Sequence, residues 1–225
     1  FKRRYGVWSN FMFPLKLYAK FKHKRRHAGQ LQNVIDKSDR FILLAPTNLL
    51  DLEFFLPKYR KGRVTAIPNS IPSVHPECLE KKENIILSVG NINIPHKRSD
   101  LLVPFWKQIK DRLPDWEMVV VGDGDYLDDL KAQVKSQNIE RFYIEGRQQP
   151  NAYYEKASFF VMFSAFEGFP NTIVEAQSYG CPVAAFNTFS SLEYVVNDNR
   201  DGFILEPFDV KTLSEKVAST CLDPK

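Results

Sequence analysis

From Arg40 onward, short apolar runs alternate with stretches whose apolar positions recur at helical spacing. Residues 41–44 read as a buried strand, 48–59 as an amphipathic helix and 63–69 as a second strand. Pro68, Pro72 and Pro76 then interrupt the chain, and Glu80-Lys81-Lys82-Glu83 reads as solvated, so residues 76–84 are expected to form a linker. Beyond it, strands are expected at 85–90, 116–122, 142–145, 159–163 and 182–186. Helices fall at 100–113, 127–137, 151–157, 172–178, 192–196 and 210–221. Met118-Val119-Val120-Val121 is apolar at every position, as a strand buried on both faces requires. Strand–helix alternation of this kind predicts an α/β fold, a parallel sheet with helices on both faces, over residues 85–225. Residues 1–75, a basic helical segment and two strands, read as part of a preceding domain. In open parallel sheets ligands sit beyond the carboxyl ends of the strands, so chemistry is sought in the loops that follow them.

Composition narrows the picture. The chain has 225 residues, 44% of them apolar and 26% charged, which excludes a disordered chain. It has no apolar run of about 18 residues, so no membrane-spanning helix is expected. The first residue is Phe and the start is basic rather than a signal peptide, so the chain reads as a segment of something longer. Cys78, Cys181 and Cys221 are odd in number and scattered, which suits a reducing compartment and neither a disulfide framework nor a zinc site.

The net charge of +4 is unevenly spread: nine Lys and Arg and no acid precede Asp36, giving +9, and the remaining 22 bases against 27 acids give −5. Residues 1–27 interleave these bases with aromatic and aliphatic side chains such as Trp8, Phe11 and Phe13. That composition fits an anionic membrane surface, or a helix whose apolar face packs on the rest of its domain. Nothing else in the chain reads as a nucleic-acid module, so no nucleic-acid partner is expected.

Three loops carry candidate chemistry. Gly90 to Asp100 follows a strand, and Lys97 and Arg98 lie near the start of the next helix, where bases oppose the helix dipole unless an anion sits there. A phosphate site and a solvated turn capped by Ser99 or Asp100 both fit. Gly122-Asp123-Gly124 resembles the start of a dinucleotide fingerprint, but Leu127 stands where the third glycine belongs, which favours a plain strand-to-helix turn. In Ser164–Ala176, Gly168 permits close backbone approach and Pro170 suits a helix start. The N–H groups of Asn171, Thr172 and Ile173 are then positioned for a phosphate. Glu175 can accept hydrogen bonds from a ribose diol and Glu167 from sugar hydroxyls, although both carboxylates can equally face solvent.

The ordered motifs from 63 to 221 resemble glycosyltransferase family 4, retaining enzymes of the GT-B fold that use nucleotide sugars. The resemblance is carried by Val64 to Ile71, with Ser70 in place of glycine, by Leu87-Ser88-Val89-Gly90 with Lys97, and by Val119 to Gly124. Phe163 to Pro170 with Glu175-Ala176 and Gly180-Cys181-Pro182-Val183 matches the family's Glu-x₇-Glu segment, its most specific one, and Asp201 to Leu205 matches its tail. The resemblance implies that residues 85–225 are the Rossmann-like C-terminal domain of a GT-B enzyme. It also implies that Lys97 contacts the donor diphosphate, that Glu167 touches the transferred sugar with help from the backbone around Gly168 and Phe169, and that Glu175 binds the ribose. Gly146-Arg147-Gln148 would lie against the nucleobase, and Gly90 and Asn91 would belong to the phosphate loop. The family usually has arginine where Asn91 stands, and Arg98 is expected to supply that charge.

The implied activity is hexosyl transfer with retention from a nucleotide-diphosphate sugar to a glycan or lipid-linked acceptor, in cell-surface polysaccharide synthesis, with no cofactor and no metal. The implied place is the cytoplasm, at the inner face of the membrane. Two alternatives stay open: a nucleotide-sugar 2-epimerase, and a non-catalytic nucleotide-sugar-binding subunit, which Asn91 favours.

Overall fold

The computed structural model describes residues 27–70 and 73–223, so the basic segment expected to meet a membrane lies, up to residue 26, outside the described residues. The chain divides into two compact units, Phe1–Asn69 and Ser70–Lys225. Among the described residues no helix is long and apolar enough to cross a membrane.

In the first unit, helix α1 (residues 27–37) precedes β1 (Phe41–Leu43), α2 (Asn48–Phe55) and β2 (Val64–Ala66). The two strands pair in parallel, Phe41 opposite Val64. Ile35, Leu52 and Leu56 form the buried centre. The Arg63 guanidinium donates to the carbonyls of Asp36 and Ser38 at 2.8 and 3.0 Å, a cation satisfying the open C-terminal end of α1. Helix α2 stops at Phe55, short of the expected residue 59, because Pro57 disfavours helical geometry at Leu56, whose φ and ψ are −127° and 82°.

The second unit is a six-stranded sheet, every neighbouring pair parallel, in the order β5-β4-β3-β6-β7-β8. Its strands are β3 (Glu83–Val89), β4 (Glu117–Val121), β5 (Phe142–Gly146), β6 (Ala157–Met162), β7 (Val183–Phe186) and β8 (Gly202–Leu205). Its helices are α3 (Leu102–Ile109), α4 (Leu127–Ser136), α5 (Asn151–Lys156), α6 (Asn171–Ser178), α7 (Leu192–Val195) and α8 (Val210–Leu222). Successive residues of each central strand feed opposite layers. Ile86, Met118, Val120, Phe159 and Val161 pack with α3, α4 and α8, among them Trp106, Leu130 and Leu213. Leu87, Val119, Val121, Phe160 and Met162 pack with α5, α6 and α7, among them Tyr154, Ile173 and Leu192. That is why the strands read as unbroken apolar runs.

The expected linker is built into the second unit instead. Pro76–Lys81 is a 3₁₀ helix with Cys78 buried, and β3 begins at Glu83. Lys81 pairs with Glu155 at 2.7 Å, and the Lys82 ammonium donates to the Tyr154 carbonyl at 2.9 Å. Residue 75, expected in the first domain, also belongs here: the His75 N–H donates to the Ser178 carbonyl at 2.8 Å. The apolar pattern does not predict strand β8, because the polar run Asn197-Asp198-Asn199-Arg200-Asp201 precedes only four strand residues. The helix expected at 100–113 opens as a 3₁₀ turn, Ser99–Leu101, and becomes α-helical at Leu102, which places Pro104 in the first α-turn where its missing N–H is harmless. All three cysteines are buried and unpaired.

The turns after β3, β4 and β5 are zipped together by main chain. The Gly90 N–H donates to Val121, that of Ile92 to Asp123, that of Tyr126 back to Ile92, and that of Gly122 to Gly146, at 2.8–3.0 Å. The backbones approach so closely that a Cβ on Gly122 would lie 1.8 Å from the Gly90 carbonyl oxygen, and its φ of +153° is unfavourable to other residues. Gly122→Ala should therefore cost on the order of 3 kcal/mol, combining strain with a clash against rigid backbone. In a unit of this size that is a fall in Tm of roughly 6–12 °C, measurable by thermal denaturation.

Candidate active site

Strands β3 and β6 lie side by side at the centre of the sheet, and the chain leaves them in opposite directions, to β4 on one side and β7 on the other. Loops that diverge from neighbouring strands open a crevice at their carboxyl ends. The two loops concerned, residues 90–98 and 163–170, are those that hold the candidate residues.

The first loop is organised around Asn93. Its Oδ1 accepts the Lys97 N–H at 3.0 Å, its Nδ2 donates to Asn91 Oδ1 at 2.9 Å, and its own N–H donates to the buried Ser99 hydroxyl at 3.1 Å. The loop is then pinned to the second one by the Ala165 N–H, which donates to the His96 carbonyl at 2.7 Å. Across this junction Lys97 Nζ meets Glu167 Oε1 at 2.5 Å, with the two side chains 27% and 13% exposed. The sequence candidates for phosphate and sugar contact are thus an ion pair at the topological switch point.

One hollow is lined in part by Lys97, and a second shares Gly90 and Asn91 with it. The first is narrow and lies between the ends of β3 and β6, lined by Gly90, Asn91, Lys97, Ser99 and Ser164. The second is wider, about 420 Å³, opens over the zipped turns and is lined by Gly90, Asn91, Gly122, Asp123, Arg147 and Gln148. Its volume is that of a small-molecule site. Arg147 and Gln148 are exposed, and Gly146, at φ +69°, makes the turn that brings them there. Among the described residues no group of three or more His, Cys, Asp or Glu side chains stands where it could hold a metal ion.

Glu175 belongs to a second set. Its Oε2 accepts the Tyr154 hydroxyl at 2.9 Å, and Tyr154 is wholly buried. Burial, and then the charge of Glu175, push the Tyr154 phenol above its usual range, so it stays a donor. Pro170 opens α6 as its N-cap, as expected, but other expectations need correction. The Pro170 carbonyl accepts from Ile173 and Val174 while Asn171 donates to Phe169. The N–H groups of Asn171 and Ile173 are therefore engaged within the turn rather than free to meet an anion, while the helix dipole remains. Arg98 is also engaged: its guanidinium forks onto both oxygens of Asp100 and lies 4.6 Å from the Phe208 ring. Nor does Ser99 or Asp100 cap the helix, since Arg98, at φ 50°, is the residue that precedes it. Gly168 is exposed and Phe169 buried in the loop between Glu167 and α6.

Residues 74–225 match the family described as glycosyl transferases group 1. The chain belongs to that family. It is 30% identical over 159 residues to an uncharacterized glycosyltransferase of Haemophilus influenzae, covering 69% of this chain and 45% of that protein. It is 27% identical over 151 residues to a 4-alpha-N-acetylgalactosaminyltransferase of Campylobacter jejuni that acts on a diphospho-undecaprenol-linked sugar, covering 66% of this chain and 40% of that one. Among solved structures, the pneumococcal O-GlcNAc transferase GtfA with UDP and GlcNAc superposes with a TM-score of 0.73 at 19% identity, over 97% of this chain and 41% of that chain. Anabaena HepE with UDP and glucose gives 0.71 at 19%, over 88% and 58%. The fold is thus that of GT-B glycosyltransferases, and the chain spans about half the length of the relatives it matches.

Within this group 1 domain, the sequence reading passed over Asn93 and Tyr154. Asn93 sits in a loop dense with Asn, where residue type alone does not say which amide bridges, and Tyr154 reads as one more apolar position of a short helix. Asn93→Ala removes the acceptor of the Lys97 N–H and should cost about 1–2 kcal/mol. Asn93→Asp keeps that acceptor and should cost less. Denaturant unfolding of the two variants checks the order.

Proposed function

We propose that this chain is the donor-binding part of a retaining glycosyltransferase of family 4, which transfers a hexosyl group from a nucleotide-diphosphate sugar to a glycan or lipid-linked acceptor in cell-surface polysaccharide synthesis. The observation that carries the reading is the Lys97–Glu167 pair at the switch point, beside a cleft edged by Arg147. A diphosphate bears more charge than one carboxylate, so it would draw Lys97 away from Glu167. The cation then faces the leaving group, and the carboxylate is released to the sugar hydroxyls. The amino-terminal end of α6 adds its dipole. With Arg98 committed to Asp100, Lys97 is the principal charge on the leaving diphosphate. No second carboxylate stands as a nucleophile in this reading. The donor phosphate takes the acceptor proton, and catalysis is positioning and electrostatics. The cleft over Gly122 and Gly124 receives the nucleoside, with the base toward Arg147 and Gln148 and the ribose toward Glu175. Since the chain spans about half of its relatives, full transfer belongs to the longer protein.

The named relatives support the substrate class: two solved ones hold UDP, and one curated relative acts on an undecaprenol-linked sugar. Calorimetry against UDP, GDP, ADP and their sugars should identify one nucleotide. Glu175→Ala should weaken its diphosphate by about 1.5–3 kcal/mol, and Glu167→Ala should chiefly abolish the preference for nucleotide sugar over bare nucleotide. EDTA should change neither; a strict Mg²⁺ or Mn²⁺ requirement would redirect attention to Asp123 and Asp125. Unchanged affinities in both variants would sink the assignment.

The acceptor is proposed to be reached at an anionic membrane surface through residues 1–27, on the strength of the +9 charge before Asp36. Each base near such a surface contributes about 1 kcal/mol, screened by salt. The chain should co-sediment with phosphatidylglycerol vesicles at low salt and lose them at high salt. A variant with Lys20, Lys22, Lys24, Arg25 and Arg26 all changed to Gln should bind markedly less. Equal sedimentation of the two would remove the membrane from the proposal.

A further inference from the structure

We propose that Tyr154 is a positioning residue for nucleotide recognition: its hydroxyl fixes the Glu175 carboxylate in the orientation that meets a ribose diol. The inference rests on the ribose assignment of Glu175 made above.

A glutamate on a helix has three rotatable side-chain bonds and, left alone, wanders among rotamers. Glu175 is not left alone. The donor that holds it comes from α5, twenty-one residues earlier in the chain, at 2.9 Å. That donor cannot move aside. The Tyr154 ring has no exposed surface, stacks on Tyr179 with centroids 5.8 Å apart, and is tilted against Phe160 at 6.1 Å. Tyr179 is stacked in turn on His75 at 4.4 Å. The main chain of Tyr154 is anchored too, its carbonyl accepting the Lys82 ammonium at 2.9 Å. A buried hydroxyl must spend its proton on some acceptor, and Glu175 is the acceptor at hand.

The chemistry of the bond suits the task. An ionised carboxylate offers about four lone-pair sites, so one bond from Tyr154 to Oε2 leaves enough for two hydroxyl donors. If Tyr154 served packing alone, phenylalanine would do as well, and the hydroxyl would be a buried polar group with no purpose.

The test compares affinities for a nucleoside diphosphate and its 2′-deoxy counterpart, UDP and dUDP first, then GDP and ADP with theirs, by calorimetry on the whole chain. The wild type should prefer the ribose form by roughly tenfold, the scale of a hydrogen bond to a charged group. Tyr154→Phe should cut that preference to about threefold while leaving the affinity for the deoxy form unchanged. Because the readout is a ratio measured on the folded fraction, any loss of stability cancels. In a Glu175→Ala background, where the preference is gone, Tyr154→Phe should have no further effect on the ratio; a further change there would mean that Tyr154 does not act through Glu175 and would overturn the positioning role. If Glu175→Ala leaves the ribose preference intact, the ribose assignment itself fails. If Glu175→Ala abolishes the preference and Tyr154→Phe leaves it at the wild-type value, the assignment stands and the positioning role of Tyr154 is overturned.

Discussion

Parallel strands cannot be joined by tight turns; each must be reached by a crossover, and the crossovers must lie on one face or the other. That constraint generates the site. Starting from β3, the chain builds β4 and β5 to one side, then returns to lay β6 against the other edge of β3 before going on to β7 and β8. At the carboxyl ends of β3 and β6 the two loops therefore diverge, and a space is left between them. Lys97 and Glu167, seventy residues apart in sequence, meet there because the topology leaves them nowhere else to go. The main-chain zipper among the turns after β3, β4 and β5 makes the floor of the adjoining cleft rigid, and Gly122 and Gly124 are the condition for that zipper.

Much of this was legible in the residues, and the limits were physical. Short continuous apolar runs such as Met118–Val121, alternating with longer stretches of helical spacing, fit strands covered on both faces, so the sheet and its helical layers followed from pattern. Lys97, Glu167 and Glu175 were candidates by their place beside strand ends and a helix, but a solvated role fitted them equally, and it was the family resemblance that gave them functions. What pattern hides is a long-range partner. Glu80-Lys81-Lys82-Glu83 looks solvated, because a local window shows four charges and nothing for them to bind. Lys81 and Lys82 find Glu155 and the Tyr154 carbonyl more than seventy residues on, and the stretch becomes part of the domain. β8 was lost for a related reason: four strand residues after a polar turn give too short a period to register against their surroundings.

Arg98 shows the same limit at the site. From the sequence it was a cation beside Lys97 and the natural replacement for an arginine at position 91. In the fold a positive φ turns it to Asp100 and Phe208, and it tightens the start of the following helix instead. Asn91 is likewise drawn into the loop as the acceptor for Asn93. Asn91, where the family has arginine, and Arg98 thus serve the shape of the loop, and the cation that faces Glu167 is Lys97.

A single lysine held by a single carboxylate is a sparing arrangement, and it bears on how such a site would discriminate. Without a ligand, the pair neutralises itself, so neither charge is left half-buried and unpaired. A group that draws Lys97 off also leaves Glu167 without its cation, and that loss is offset only if the same ligand brings hydroxyl donors to the carboxylate. A bare phosphate supplies the first exchange and not the second. Under the proposed function a sugar joined to a diphosphate would supply both, so the coupling between the two residues would favour the intact donor over its fragments even though neither residue alone could tell them apart.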